Sequence, residues 1–213
     1  MNMEKRQKDY CLSSEKDDME LRAEGTTLYI DGRELSELDL FVCRFLDILE
    51  DYSPYTIISG YVAILFGRTR STEDIDLLIP VCSYPSFHSL HDACIDHGFE
   101  FLNAEDAEGL YSFLSSGYGI RLCEKDTFIP NIEIKFIKNE SDEYSFEKRI
   151  QLIINGRTFF ISPLEIQIAY KFWLGSQKDI EDAIFIRNVC RDVIDEKLLQ
   201  DFCKSFGVTY ESA

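Results

Sequence analysis

Residues 74–79 spell DIDLLI, with Asp74 and Asp76 separated by Ile75 and followed by Leu77 and Ile79 on the same alternation. Successive side chains of a strand leave opposite faces, so both carboxylates share one face, about 7 Å apart along the backbone, and the three apolar residues share the other. A sheet with one face in a core and the other open to a polar volume meets that demand. Carboxylates held so close repel unless water, a proton or a cation intervenes. The solvated face of an antiparallel sheet satisfies them without any chemistry, and D-x-D alone is a weak signal.

At 213 residues the chain suffices for one domain with a real core, with a small helical extension at most. Residues 1–24 are polar, rich in Glu, Lys, Asp and Ser, and read as a flexible arm with no fold assigned. TTLYIDGREL predicts a hairpin about Asp31-Gly32, while Ser36 and Asp39 form a capping box that opens an amphipathic helix ended by Pro54. YTIIS then reads as a strand, YVAILFG as a short helix, DIDLLIPV as a strand and SYPSFHSLHDACIDHG as a helix closed by Gly98. Residues 103–119 read as a mobile loop region with a helical piece, a candidate lid. IRLCEKDTF, NIEIKFIK, RIQLIIN and RTFFIS follow as strands, the last two joined at Asn155-Gly156. From Ser162-Pro163 onward the pattern is helical. The expectation is an α/β core over residues 25–160, with a mixed sheet flanked by helices, and a C-terminal helical region over residues 161–213.

Charge limits the partners. With 39 acidic against 22 basic residues and a formal net charge of -17, the chain repels a phosphodiester backbone at long range, which disfavours non-specific DNA binding. A local basic strip can still meet one polyphosphate or one folded RNA. The apolar runs are too short and interrupted to cross a bilayer, and charges break up the N-terminal stretch where a signal core would stand, so a cytoplasmic protein is expected. Seven Cys, scattered and without a C-x-x-C pair, fit neither a disulfide framework nor a thiolate zinc site.

The neighbours of the acid pair point to phosphate chemistry. Thirteen intervening residues separate Asp74 from Ser59-Gly60, a small-residue turn at a strand-to-helix junction where backbone N–H groups can approach a phosphate. The polar loop between them carries Arg68 and Arg70, suited to phosphate oxygens. Each has a plain alternative: a tight turn, and two arginines that balance Glu73 and Asp74. Glu133 lies on the polar face of NIEIKFIK, alternating with Ile132, Ile134 and Phe136. If that strand lies beside DIDLLI, three carboxylates converge, and a hard divalent cation such as Mg²⁺ suits such oxygens together with substrate phosphates. Taken alone, Glu133 reads as a surface residue.

These residues resemble the nucleotidyltransferase superfamily, whose signature is an apolar residue, Gly, then Gly or Ser, a spacer, D-h-D-h and a later third acid. Here the matches are Ile58-Ser59-Gly60, Asp74-Ile75-Asp76-Leu77 and Glu133. Ser59 stands where a double Gly is usual, and bulky Tyr61 follows. The run GYVAILFGRTRSTEDID is similar to the AbiEii-type and related minimal nucleotidyltransferases, some of them members of toxin–antitoxin pairs, with Arg70 and Thr72 ahead of Asp74. The later segment ISPLEIQIAYKFWLGSQKDIEDA places Lys171, Lys178, Asp179 and Asp182 where that group has a helix lysine and K-D-x-x-D. The resemblance implies the nucleotidyltransferase fold and transfer of a nucleoside monophosphate from an NTP to a hydroxyl on a protein, small molecule or RNA, with Mg²⁺ or Mn²⁺. It implies that Asp74, Asp76 and Glu133 form the metal and catalytic set. Ser59, Gly60, Arg68, Arg70, Thr72, Lys171 and Lys178 then serve the nucleotide.

Other signals read more plainly. His88, His91 and His97 fall on one helix as ordinary surface residues, although His88 and His91 have a spacing that can share a metal. Tyr170, Phe172 and Trp173 read as packing of the C-terminal helices, with base stacking as the alternative. A different class of function also fits the chain: a catalytically inactive binding partner with this fold, such as the antitoxin-like member of a pair.

Overall fold

The computed structural model describes residues 19–70, 72, 74–104 and 106–209. Its elements run β1 (Glu20–Glu24), β2 (Thr27–Asp31), α1 (Glu37–Leu49), β3 (Thr56–Ile58), α2 (Gly60–Leu65) and β4 (Asp74–Ile79). After these come α3 (Tyr84–Asp96), β5 (Phe99–Phe101), α4 (Ala107–Ser115), β6 (Ile120–Glu124) and β7 (Asn131–Phe136). The last are α5 (Glu140–Glu147), β8 (Ile150–Ile154), β9 (Arg157–Ile161), α6 (Leu164–Leu174), α7 (Gln177–Val189) and α8 (Glu196–Phe206). The described strands form one mixed sheet in the order β1-β2-β8-β9-β3-β4-β7-β6-β5. Its parallel pairs are β2 with β8, β3 with β9 and β4 with β7.

Local chemistry accounts for several of these elements. Asn155 and Gly156 both take positive φ, 48° and 79°, the backbone a two-residue turn needs to match the twist of β8 and β9. Asp31-Gly32 does not turn a hairpin: β2 ends there, and its antiparallel partner is β1, upstream. The stretch Glu20–Glu24, assigned no fold from its polarity, is therefore an edge strand whose side chains are almost all solvated. Residues 1–18 of the expected arm lie outside the described residues. Residues 103–119 hold α4, whose Ala107, Leu110 and Leu114 are buried against α3 and the sheet, so that segment is core structure rather than a lid. Helix α5 went unforeseen because its sequence ESDEYSFE buries only Ser145 and has no apolar period to read.

Ile75, Leu77 and Ile79 enter the main apolar core with Phe41, Phe45, Phe87, Ile132 and Ile134. The three helices α6, α7 and α8 pack on one another through α6, and no described helix is long and apolar enough to cross a membrane. One buried polar knot joins α1 to α2. Asp39, fully buried, accepts at Oδ1 from the Tyr61 hydroxyl at 2.6 Å and at Oδ2 from Arg33 Nη2 at 2.8 Å. The same Oδ2 accepts from the backbone N–H and hydroxyl of Ser36, which completes the expected capping box. Tyr61 thus turns its bulk into the core and leaves the Ser59-Gly60 turn clear, while burial and then Asp39 push its phenol well above the ordinary range.

Tyr61→Phe leaves Asp39 buried with one donor fewer. Urea unfolding followed by circular dichroism is expected to show a loss of about 1–3 kcal/mol, with an unchanged slope.

Candidate functional site

Strands β4 and β7 run parallel with Asp74 opposite Asn131, Asp76 opposite Glu133 and Leu78 opposite Lys135. Directly paired residues share a sheet face, so Asp74, Asp76 and Glu133 stand together on the face away from Ile75 and Leu77. The neighbouring strand β6 adds Arg121, paired with Glu133. The three acids are therefore neighbours in space, although Glu133 lies far along the chain.

Each acid has a partner. Asp74 Oδ1 accepts from Asn131 Nδ2 at 2.9 Å. Lys135 Nζ bridges Asp76 Oδ1 at 2.8 Å and Glu133 Oε2 at 2.9 Å, and Arg121 Nε lies 3.7 Å from Glu133 Oε1. Burial alone would lower the Lys135 pKa, but Asp76 and Glu133 outweigh it and hold the ammonium above its ordinary value. Gly119 makes room for the third acid, since a Cβ there would stand 2.5 Å from Glu133 Oε1. Asn131, Lys135, Arg121 and Gly119 were not singled out from the sequence. Asn131 and Lys135 have the same alternation in NIEIKF as Glu133, but what they meet depends on the strand register.

Among the described residues, no three His, Cys, Asp or Glu side chains form a metal cage by themselves. The second oxygens of Asp74 and Asp76 have no protein partner among the described residues, whereas both oxygens of Glu133 face cations. That donor set fits a hard divalent cation that takes one or two carboxylates and completes its shell with substrate phosphates.

The turn beside the acids is held from outside. Ser59 has φ 67° and ψ -139°, a region costly for a residue with a Cβ. Gln167 of α6 clamps it at both ends, accepting from the Ser59 N–H at 3.2 Å and donating to the Ser59 carbonyl at 2.7 Å. Gly60 leaves no room for a side chain because the Arg70 guanidinium lies where its Cβ would be.

Arg68, Arg70 and Lys171 converge on a different carboxylate, Asp182 of α7, which is fully buried. Arg70 Nη1 and Lys171 Nζ donate to Asp182 Oδ2 at 2.6 and 2.7 Å, and Arg68 Nε forms an ion pair with Oδ1 at 2.7 Å. Lys171 also reaches Asp179 at 3.3 Å, and Arg68 holds the Glu181 carboxylate and carbonyl. Burial pulls the Arg70 pKa below its ordinary value, with Asp182 opposing and Arg68 adding to the effect. The two arginines thus balance Asp182 and Glu181, not Asp74. Thr72 donates to the Asp74 carbonyl at 3.0 Å, and Lys178 is exposed in the first turn of α7. His88 and His91 both face Asp92, and His97 bonds the Ala93 carbonyl. Phe172 packs against the core and Tyr170 meets Phe206 of α8 edge-on, as packing of the C-terminal helices, but Tyr170 and Trp173 are 42% and 52% exposed and line a cavity of about 630 Å³ that also touches Ser59 and Lys135.

No family model matches the sequence, and no curated protein matches it. Solved structures match the fold. The antibiotic-resistance factor ANT(2'')-Ia in solution superposes with a TM-score of 0.52 at 17% identity, over 79% of this chain and 90% of that one. ANT(2'')-Ia in complex with adenylyl-2''-tobramycin gives 0.52 at 18% identity, over 81% and 98%. The lincosamide antibiotic adenylyltransferase LnuA, with lincomycin bound, gives 0.50 at 15% identity, over 74% and 99%. The chain has the nucleotidyltransferase fold.

Two substitutions test the clamp together. Ser59→Gly removes the backbone penalty and is expected to raise stability by about 1 kcal/mol, while Gln167→Ala lowers it by about 2 kcal/mol. In the double variant the loss from Gln167→Ala is smaller than in the wild type, because glycine holds the turn without help. Asp182→Ala strands three cations and is expected to cost about 3–5 kcal/mol in the same urea titration.

Proposed function

We propose that this protein transfers a nucleoside monophosphate from an NTP to a hydroxyl acceptor and releases pyrophosphate, acting in the cytoplasm with Mg²⁺ or Mn²⁺. The observation that carries the reading is the register about Asp76, which has Glu133 beside it on β7 and, on β3, Ile58, the residue just before the Ser59-Gly60 turn. Nucleotidyltransferase-fold neighbours that include an adenylyltransferase support the same class.

Asp74 and Asp76 would hold the metal through their unpartnered oxygens. When bound, the ion supplies charge stabilisation on the transferring phosphate and orients it. Glu133 takes the proton of the acceptor hydroxyl, whose oxygen then attacks the α-phosphorus as the bond to the pyrophosphate oxygen breaks. Lys135 and Arg121 pair with Glu133 and supply positive charge close to the phosphates. The backbone at Ser59 and Gly60 faces the phosphates, while Arg68, Arg70 and Lys171 serve the site through Asp182 by fixing the loop that leads into Asp74. The segments 60–76 and 161–183 support the narrower resemblance to AbiEii-type nucleotidyltransferases. For the acceptor, the net charge of -17 weighs against RNA and favours a protein side chain or a small molecule.

One observation favours a second reading, a catalytically silent binding partner such as an antitoxin-like component. The Lys135 ammonium already bridges Asp76 and Glu133, so part of the charge of the three acids is offset without a metal.

The readings separate in one assay. Wild type and an Asp74→Asn, Asp76→Asn double variant are incubated with each α-labelled NTP, Mg²⁺ and a lysate of the source cells. Acid-stable label is expected with wild type and at least about 100-fold less with the variant. No label from either, with both folded by circular dichroism, would overturn transfer and favour the silent partner.

A further inference from the structure

The face that carries the acids does not end with them. On β4 the residue after Asp76 on the same face is Leu78, which is buried yet outside the main core cluster. Leu78, with Ile58 and Ile166, forms the apolar floor of the 630 Å³ cavity. One end of the cavity is Ser59 and Lys135, shared with the acid face. Along its side stand Tyr170 and Trp173, one turn apart on α6, with ring centroids 5.3 Å apart and planes tilted by 30°. Two large rings left this exposed offer a broad π surface inside a concave site.

The lining also includes Lys138, Asn139 and Asp142, from the start of α5 and the residues just before it. Asp142, in the first turn of α5, accepts at Oδ2 from the Lys138 N–H at 3.2 Å and from Asn139 Nδ2 at 2.9 Å. Both of these donors meet Oδ2, which leaves acceptor capacity on Asp142 for a ligand N–H. Burial first, and then Asp142, raise the Tyr170 pKa, with Lys135 opposing and Asp76 adding.

We infer that this cavity is a base subsite for an amino-bearing purine, stacked on Tyr170 and Trp173 with its exocyclic amine donating to Asp142. The inference rests on the nucleotidyl-transfer reading, because the phosphates of the same nucleotide then meet Lys135 and the Ser59 turn. An apolar floor and two rings reward the larger bases by stacking. The unfilled acceptor site of Asp142 rewards a base edge that donates and penalises one that only accepts.

Trp173 is the only tryptophan of the chain, so its fluorescence reports directly on the cavity. With Mg²⁺ present, ATP and GTP are expected to change Trp173 emission saturably, and UTP and CTP to bind more weakly by calorimetry. Tyr170→Ala is expected to weaken ATP binding about tenfold. Purine riboside triphosphate, which lacks the amine, should bind wild type about tenfold more weakly than ATP does. Asp142→Asn should erase that difference. NTPs that bind by calorimetry while Trp173 emission stays constant would overturn the base subsite and leave the transfer reading standing. Equal affinity for ATP and its deamino analogue would overturn the role of Asp142. If no triphosphate binds, the transfer reading falls, and adenosine alone decides the cavity: saturable quenching upholds the subsite and none overturns it. An acceptor ring rather than the nucleotide base would show as quenching by adenosine that ATP and inorganic tripolyphosphate do not compete away.

Discussion

A single fully buried carboxylate, Asp182, holds together the parts that make the candidate site. It gathers Arg68 and Arg70 from the loop ahead of β4, Lys171 from α6 and its own helix α7. A buried charge costs several kcal/mol in lost hydration and is tolerable only when its oxygens are met by well-placed donors. That requirement acts as a constraint on geometry, because Arg68 and Arg70 cannot move away and α6 and α7 cannot slide without stranding a charge. The loop delivers Asp74 and α6 delivers Gln167, so both walls of the site are positioned by one anion that takes no part in it.

The consequence reaches the backbone itself. Ser59 sits in a conformation that its own side chain disfavours, and it stays there because Gln167 grips its N–H and carbonyl. The Arg70 guanidinium that pairs with Asp182 also lies against Gly60. The turn is thus shaped by α6 from one side and by the arginine loop from the other. The C-terminal helices, which read from sequence as an extension to the core, are structural parts of the site.

How much of this was legible follows from the range of each interaction. The acid pair, the Ser36–Asp39 capping box and the Asn155-Gly156 hairpin depend on residues within a few positions of one another, and the sequence shows them directly. Glu133 was found by alternation, but its place beside Asp76 depends on a strand register that alternation does not specify. Lys135 and Asn131 follow from that register and were invisible without it. Arg68 and Arg70 were read towards a phosphate, with acids near in sequence as the plain alternative, whereas the partner that the structure gives them, Asp182, lies more than a hundred positions away. Gln167 left one faint trace, a polar residue set among Ile166, Ile168 and Ala169. Tyr170 and Trp173 were read as packing because an aromatic stripe on a helix has the same spelling whether it meets a core or a cavity.

The parallel pairing of β4 with β7 also orders events during folding. Parallel neighbours cannot be joined by a tight turn, and here residues 80–130, with α3, β5, α4 and β6, make the crossing. Closing so long a connection costs entropy before its contacts are gained, so this pairing is a late step relative to the local hairpins. Asp74 and Asp76 come together as soon as one strand extends, but Glu133 and Lys135 arrive only when the crossing has closed. A chain caught part-way carries two bare carboxylates and neither the third acid nor the ammonium that tempers it. The topology therefore makes the three-acid face a property of the completed sheet and not of any local segment.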